Sequence, residues 1–245
     1  MSIPDFVQTD LQALGMEVPA ELLERLARYL TMLLEANRQF NLTAIREPDA
    51  AWRRHIIDSL TILPGLEELA EGGTVIDVGS GGGLPGIPIA ICRPDLQVTL
   101  LEATGKKVRF LRSCIDELPL PNTRVLQGRA ETLGQDSAHR QRYDVAVCRA
   151  VGPMAELLEY TLPLVKVGGW LLAMKGPSVE EELAVASDAL DVLGGGALHV
   201  FDAYPPEFEY RTVVVRVSKE RPTPRSYPRL PGMPRQAPIG VGKRA

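Results

Sequence analysis

The sequence predicts an α/β fold, with a seven-stranded, mostly parallel sheet that carries helices on both of its faces. Three observations predict it. Strand-like and helical patterns alternate from residue 74 to about residue 217, a glycine-rich turn follows the first strand, and an acidic residue ends the second. Such an alternation is typical of a doubly wound sheet, whose ligands bind beyond the carboxyl ends of the strands.

The first predicted strand, residues 74–78, leads into the most informative segment of the chain, residues 77–84 with the sequence DVGSGGGL. Glycine has no Cβ and takes positive φ without steric cost, so a glycine turn lets the backbone approach a nucleotide-like ligand. The acid-x-Gly-x-Gly-x-Gly spacing resembles the first motif of S-adenosylmethionine (SAM)-dependent methyltransferases, in which the acid helps to hold the methionine end of the cofactor. We therefore interpret four residues as cofactor-binding: Asp77, Gly79, Gly81 and Gly83.

Two other interpretations of this turn stay open. Gly81, Gly83 and Gly86 match the Gly-x-Gly-x-x-Gly pattern of dinucleotide-binding folds. This match is the weaker one, because Gly79 ends the strand and Pro85 is expected to interrupt the stretch where the next helix should begin. An ordinary glycine turn after a core strand is the third interpretation.

The second predicted strand, residues 97–101, ends at Glu102, 23 positions after Gly79. An acid at this place can accept hydrogen bonds from two ribose hydroxyls. NAD and SAM both carry that ribose, so Glu102 supports a Rossmann-like fold and cofactor binding without choosing the cofactor.

The remaining patterns divide the chain into three regions. Residues 1–70 are predicted to form a helical extension that includes a helix over 21–37, residues 71–218 the SAM-binding core, and residues 219–245 a tail. Helices are expected at 104–118 and 179–193 of the core, and its last strand is expected to run antiparallel. The other strands are predicted at 124–127, 143–148, 168–174, 197–203 and 211–217.

Charge is unevenly distributed along the chain. The net charge is -4, but residues 219–245 hold seven basic residues and one acid, which leaves the tail near +6 and the rest near -10. Six prolines in the tail favour an extended basic arm, which suits a phosphate backbone. A disordered terminal tail is the alternative.

Composition argues against several classes of protein. Three cysteines without Cys-x-x-Cys spacing indicate a reducing, cytoplasmic location and argue against disulfides, and three scattered histidines predict no metal site. The first residues resemble no signal peptide, and no apolar run reaches the length of a membrane span. We expect a cytoplasmic, monomeric protein without a membrane partner.

Polar residues follow the third, fourth and fifth predicted strands. Ala130 and Glu131 are candidates for contact with an adenine, because an acid or amide in that loop commonly faces it. Arg129, Arg149 and Lys175 are expected to meet at the same edge of the sheet, since carboxyl ends of parallel strands share one edge.

Together these segments resemble the RsmG family, also called GidB, of bacterial methyltransferases that form 7-methylguanine in 16S ribosomal RNA. The resemblance implies SAM as cofactor, 16S rRNA or the 30S particle as partner, and SAM contacts from Gly79, Leu84, Ala130, Glu131 and Arg149. It places Arg129 and Lys175 at the substrate side, so that Arg149, Arg129 and Lys175 are the catalytic candidates. Leu84 stands where the family usually has Phe. The resemblance is carried by residues 41–43, 55–60, 77–86, 129–131, 149–151, 174–176 and 227–238.

Missing motifs agree with methylation of guanine N7. The loop after the fourth strand lacks the Asn/Asp-Pro-Pro-aromatic motif of amino methylation, and no cysteine lies in a Pro-Cys loop. Since the N7 lone pair is available at neutral pH, we expect catalysis by proximity and alignment, without a general base. His55 and Asp58 are interpreted as structural or as lining the cofactor cleft. A methyltransferase of small molecules or proteins, and a SAM-binding module without turnover, are the alternative functions.

Overall fold

The computed structural model describes residues 2–242 and contains one seven-stranded sheet with the strand order β3-β2-β1-β4-β5-β7-β6. Strands β1 to β5 pair in parallel, whereas β7 lies antiparallel between β5 and β6. The predicted fold class and the antiparallel last strand are confirmed. The strands are β1 Thr74–Val78, β2 Gln97–Glu102, β3 Thr123–Gln127, β4 Tyr143–Arg149, β5 Val165–Lys175, β6 Gly195–Asp202 and β7 Val213–Lys219.

The strand order fixes where a ligand can bind. The chain moves outward from β1 to β3 on one side, then returns to place β4 on the other side of β1. The loops after β1 and β4 therefore diverge, which opens a crevice at the carboxyl edge of the sheet.

Among the described residues, eleven α-helical segments surround the sheet. The helix expected over 179–193 is in fact two short helices, because the chain turns between Ala184 and Ser187 and buries Ala186 and Ala189 against the sheet. The helices are α1 Asp5–Ala13, α2 Ala20–Asn37, α3 Pro48–Ala51, α4 Asp58–Leu60, α5 Gly86–Cys92, α6 Gly105–Glu117, α7 Ala130–Leu133, α8 Met154–Thr161, α9 Val179–Ala184, α10 Ser187–Val192 and α11 Met233–Gln236.

Between α3 and α4 the chain forms a π-helix, Trp52–Ile57, and a 3-10 turn follows at Leu63–Leu66. π-Helical turns are rare in proteins overall, but many of those that occur lie at functional sites. This one places His55 and the carbonyl of Arg54 at the crevice, immediately before Asp58.

Two apolar clusters sandwich the sheet. One face packs against α1, α2, α5 and α6 in a cluster that includes Leu26, Trp52 and Leu100, and the other packs against α8 and α10 in a cluster that includes Ile76 and Leu158. The N-terminal helices share their cluster with residues of β1 and β2. The division at residues 70 and 218 stays a prediction about regions of the sequence.

The basic tail lies against the body of the molecule. Arg140 donates hydrogen bonds to the carbonyls of Thr223, Pro224 and Tyr227, and Arg229 binds the fully buried carboxylate of Glu159 at 2.6 Å. The described part of the tail is thus held by the core, which differs from both a disordered tail and a free phosphate-binding arm. The last part of the predicted tail, residues 243–245, lies outside the described residues.

Within residues 2–242, no helix combines the length and the apolar character needed to cross a bilayer. The same part of the chain holds no cluster of three or more His, Cys, Asp or Glu side chains with metal-binding geometry.

The Arg229–Glu159 pair gives a prediction about stability. Arg229→Ala leaves the Glu159 carboxylate buried without its ion-pair partner, and we expect the free energy of unfolding to fall by about 3–5 kcal/mol. Arg221→Ala is the matched control, because it breaks a tail pair with Asp191 whose side chains are 57% and 79% exposed; its cost should stay below about 1 kcal/mol. Urea unfolding measures both variants, and equal midpoints would contradict the anchoring role of Glu159.

Candidate active site

The glycine turn after β1 forms the floor of the crevice. The backbone N–H groups of Gly79 and Ser80 both donate to the carbonyl of Leu101, which ties the turn to β2. Gly79 has φ +74°, and a Cβ there would lie 3.1 Å from Val151 Cγ2. A side chain at this position would be strained and would fill the crevice.

The helix after the turn begins at Gly86, directly behind Pro85. Residues 81–85 form turns and the helix begins only behind Pro85, which occupies the N-cap position, as the sequence predicts. A Cβ on Gly86 would lie 2.3 Å from Leu100 Cδ2. Gly86 therefore allows the close packing of helix and strand that the third glycine of a dinucleotide pattern provides, so this part of the turn does not distinguish the two cofactors.

Asp77 lies beneath the turn with no exposed surface. Its Oδ2 accepts a hydrogen bond from the N–H of Gly86 at 3.1 Å, while its Oδ1 has no partner among the described residues. Burial raises the pKa of Asp77 to about 7, against the lowering effect of the Gly86 hydrogen bond. Asp77 thus fixes the turn from below and keeps one acceptor unused.

Glu102 holds the same turn from the side of β2. Its Oε2 accepts from the N–H of Gly81 at 3.0 Å, and its Oε1 accepts from the N–H of Thr104 at 2.7 Å. Each carboxylate oxygen has a second lone pair, so Glu102 can still accept hydrogen bonds from a ligand.

A small cavity of about 150 Å³ lies beside Glu102 at the ends of β1, β2 and β3. Gly79, Ala130 and Glu131 line it together with Glu102, as the sequence predicts for a cofactor site. Glu131 is 5% exposed, and its Oε1 accepts a hydrogen bond from the tail N–H of Gly232 at 2.9 Å. The tail therefore fixes one wall of this cavity.

A larger cleft of about 670 Å³ lies on the other side of Gly79. Its volume is within the usual range of ligand sites, about 300–1,000 Å³. Gly79, Gly81 and Leu84 line it, whereas Gly83 and Asp77 lie outside the lining of both cavities. Five cationic side chains surround this cleft: Arg54, Lys107, Arg149, Lys175 and Arg211.

Arg149 is held by several contacts at the end of β4. Its Nη1 donates to Asp58 Oδ2 at 3.1 Å and to the carbonyl of Arg54 at 3.0 Å. Asp58 is 4% exposed, and its other oxygen accepts from Tyr204 and Thr212. This network fixes the direction of the guanidinium before any ligand arrives.

His55 completes the wall next to Arg149. Its Nε2 lies 2.7 Å from Thr43 Oγ1, and its Nδ1 lies 3.4 Å from Arg149 Nη2. Burial, and next the positive charge of Arg149, lower the pKa of His55 to about 4. The ring is therefore neutral at pH 7. His55 and Asp58 both line this cleft, and their interpretation as structural residues or as part of a cofactor cleft stays a prediction.

Lys175 is fixed at the end of β5 in a similar way. Its Nζ donates to the carbonyl of Gly152 at 2.8 Å and lies 2.5 Å from Glu182 Oε2. Glu182 also accepts from the N–H of Met154 at 2.9 Å, so it ties α9 to α8. The side chain of Lys175 is only 10% exposed.

The structure brings two of the three basic candidates together. Arg149 and Lys175 line the large cleft, whereas Arg129 lines the small cavity beside the acids. Sequence analysis did not identify Glu209, Arg211 and Thr212, which line the large cleft from the loop before β7. The only signal for them was their position directly after the Tyr204-Pro205-Pro206 loop.

The cysteines lie away from both cavities. Cys148 is buried within β4, and burial raises its pKa far above the ordinary value. Burial also raises the pKa values of Cys92 and Cys114 to about 12. Buried thiols of this kind are inert as nucleophiles.

Comparison with known proteins identifies close relatives over almost the whole chain. A family model described as GidB, rRNA small subunit methyltransferase G, matches residues 22–205. Ribosomal RNA small subunit methyltransferase G of Leuconostoc citreum is 42% identical over 98% of this chain and 100% of the relative. The protein of the same name from Moorella thermoacetica is 40% identical over 92% of this chain and 93% of the relative.

Solved structures share the fold at lower identity. A SAM-dependent methyltransferase from Aquifex aeolicus is 21% identical with a TM-score of 0.51, covering 68% of this chain and 92% of that chain. A mutant of MtNAS in complex with S-adenosylmethionine is 16% identical with a TM-score of 0.54, and the match covers 80% of this chain and 75% of that chain. These likenesses show a Rossmann-like fold.

Asp77 gives a prediction about pH dependence. Between about pH 4 and pH 7 the native carboxyl keeps a proton that the unfolded chain has released, so this group lowers the free energy of unfolding as pH rises across that window. Asp77→Asn removes the effect. We expect its stability relative to the original chain to increase by a few kcal/mol from about pH 4 to pH 7 and to stay constant above.

Urea unfolding of the cofactor-free protein at several pH values tests this prediction. Asp116→Asn is the matched control, because Asp116 is an exposed acid on α6 and should follow the original pH profile. Parallel profiles for Asp77→Asn and the original chain would show that Asp77 is ionised at neutral pH in the folded protein.

Proposed function

The chain belongs to the GidB family of small subunit ribosomal RNA methyltransferases, and from this membership we propose that it transfers a methyl group from SAM to N7 of a guanine in 16S rRNA. The observation that carries the proposal is the pair of cavities that meet at Gly79. The small cavity is lined by two carboxylates and one arginine, and the large cleft by five cations and three carboxylates. The excess of acid in the first suits a nucleoside with a cationic group, and the excess of cations in the second suits an anionic nucleotide.

The residues around the small cavity fit SAM. SAM supplies an electrophilic methyl group on a positively charged sulfonium. Glu102 is proposed to accept hydrogen bonds from the ribose hydroxyls, and Ala130 and Glu131 are proposed to face the adenine. Their position around one cavity, together with Gly79, supports this assignment. Asp77 has no exposed surface and lies outside both cavities, so it is proposed to serve the methionine end of the cofactor by fixing the turn that includes Gly81, Gly83 and Leu84.

Guanine N7 is the atom that this cleft suits. Its lone pair needs no deprotonation before attack, so no side chain of the cleft has to act as a general base. The lowered pKa of His55, about 4, makes this histidine a weak base. Catalysis then consists of aligning N7, the methyl carbon and the sulfur. The walls replace water by fixed dipoles, which favours dispersal of the sulfonium charge.

Arg149 and Lys175 are proposed to orient the substrate. A forked arginine contact to O6 and N7 would block the attacked atom, so Arg149 should bind O6 alone, a phosphate or the methionine carboxylate. Arg129, at the small cavity, is proposed to contact the nucleotide beside the cofactor. Because only unstacked bases can enter such a cleft, the target should be a loop guanine of the free RNA or of the 30S particle.

Transfer of radiolabelled methyl from SAM tests the function. The substrates are 16S rRNA and 30S particles from a strain that lacks the modification, and the labelled nucleoside is identified after digestion. We expect 7-methylguanosine. Label in another nucleoside would contradict the N7 assignment, and binding of SAM without labelling of either substrate would contradict the RNA substrate.

Arg149 gives a prediction about turnover. Arg149→Ala should lose turnover while the chain remains folded, because Asp58 keeps its hydrogen bonds from Tyr204 and Thr212. Arg149→Lys keeps the positive charge but not the planar fork, and we expect kcat to fall by about 10²-fold with little change in stability. Single-turnover methyl transfer and thermal unfolding measure the two effects. Turnover like that of the original chain in Arg149→Ala would show that Arg149 has no part in the reaction.

A further inference from the structure

A second groove, about 560 Å³ in volume, lies between α2 and the first half of α6. Its walls combine two cationic side chains, Lys106 and Arg109, with two aromatic ones, Phe40 and Phe110. Neither the proposed methyl transfer nor the cofactor cavity uses these residues.

The groove lies next to the active-site cleft. Two segments form walls of both: Lys106 lines the groove and the adjacent Lys107 lines the cleft, while Phe40 lines the groove and Leu42 lines the cleft. A strand that leaves the cleft between these segments therefore enters the groove without crossing the core.

The cations of the groove are free to bind anions. Lys106 and Arg109 are exposed, and within residues 2–242 neither has an ion pair or a hydrogen bond. Other arginines of the body, such as Arg93 and Arg216, are paired with carboxylates. Unpaired cations on a body with a net charge near -10 form a local site for phosphate.

The aromatic residues add a surface on which bases can stack. Phe40 is half-buried, packing on the core with one side while the other lines the groove, and Phe110 forms the floor with 6% exposure. Cationic side chains beside an aromatic platform are typical of single-stranded nucleic acid sites, since every base has a face that can stack. Glu35 is the one acid among the lining residues.

We propose that this groove binds the single-stranded RNA that continues from the target guanine, with Lys106 and Arg109 on phosphates and a base stacked on Phe40. The inference rests on the proposed function, since it assigns the groove to the same RNA strand. It makes the groove a determinant of RNA affinity that is separate from cofactor binding.

A pair of charge reversals on one helix tests the proposal in the full chain. Arg109→Glu and Arg112→Glu change the same charge at exposed positions three residues apart, but only Arg109 lines the groove. For Arg109→Glu, and likewise for Lys106→Glu, we expect the KM for 16S rRNA to rise on the order of tenfold with kcat unchanged. Arg112→Glu should stay within about twofold, because salt screens charges that make no contact.

Binding of a 16S rRNA transcript gives a second readout. Loss of each phosphate contact should lower the slope of log affinity against log salt by about 1. Phe40→Leu keeps an apolar side chain but removes the ring, so the affinity should fall by about fivefold or more with the salt slope unchanged. The affinity for SAM should match the original chain in every variant, which also reports that each is folded.

Equal effects of Arg109→Glu and Arg112→Glu would overturn the groove proposal, because only long-range charge would then be at work. Unchanged RNA affinity in Phe40→Leu would remove the stacking contact. If the original chain methylates 16S rRNA but the variants give these contradicting results, the groove proposal is wrong and the proposed function stands. If the original chain neither binds nor methylates 16S rRNA, the proposed function fails first.

Discussion

Buried carboxylates that accept backbone N–H groups hold the active site together. Asp77 binds the N–H of Gly86, Glu102 binds those of Gly81 and Thr104, and Glu131 binds that of Gly232. Each acid lies at or near the carboxyl edge of the sheet and ties a loop that cannot form regular secondary structure. Removing one would leave buried N–H groups without partners, which costs more free energy than the hydrogen bond itself contributes.

On the cationic side of the crevice, buried carboxylates hold cationic side chains instead of backbone N–H groups. Asp58 fixes Arg149, and Glu182 fixes Lys175, so both cations are oriented before a ligand binds. A long flexible side chain that is already held loses less conformational entropy when it binds a substrate. The partners of these carboxylates come from distant parts of the chain, since Asp58 also binds Tyr204 and Thr212. The loop before β7 thus supports a residue of β4 through one buried acid.

The sequence was sufficient for the strands of the sheet and for the family. The predicted bounds of β1 were confirmed, and β2 is one residue longer than predicted because it includes Glu102. Buried parallel strands are apolar runs, and a glycine or an acid marks the end of each run here. The family resemblance drawn from short motifs was also confirmed. These features depend on neighbours in the chain, which a single sequence displays.

Features that depend on tertiary packing were not predictable in the same way. The break between α9 and α10 falls at Val185 and Ala186, inside a stretch whose pattern predicts one helix, and Ala186 is buried there. Nothing in the composition of the tail indicates that Arg229 would meet Glu159, which is 70 positions earlier. Proline and basic content predicts an extended backbone, but only the surface of the core decides whether that backbone is free.

Net charge differs between the two cavities at this edge of the sheet. The small cavity has two acids, Glu102 and Glu131, and one cation, Arg129. The large cleft has five cations and three acids, and two of those acids pair with Arg149 and Lys175. The small cavity therefore favours a cationic cofactor, whereas the large cleft favours an anionic strand. Gly79 lines both cavities and adds no side chain between them, so the two environments stay in contact at this residue.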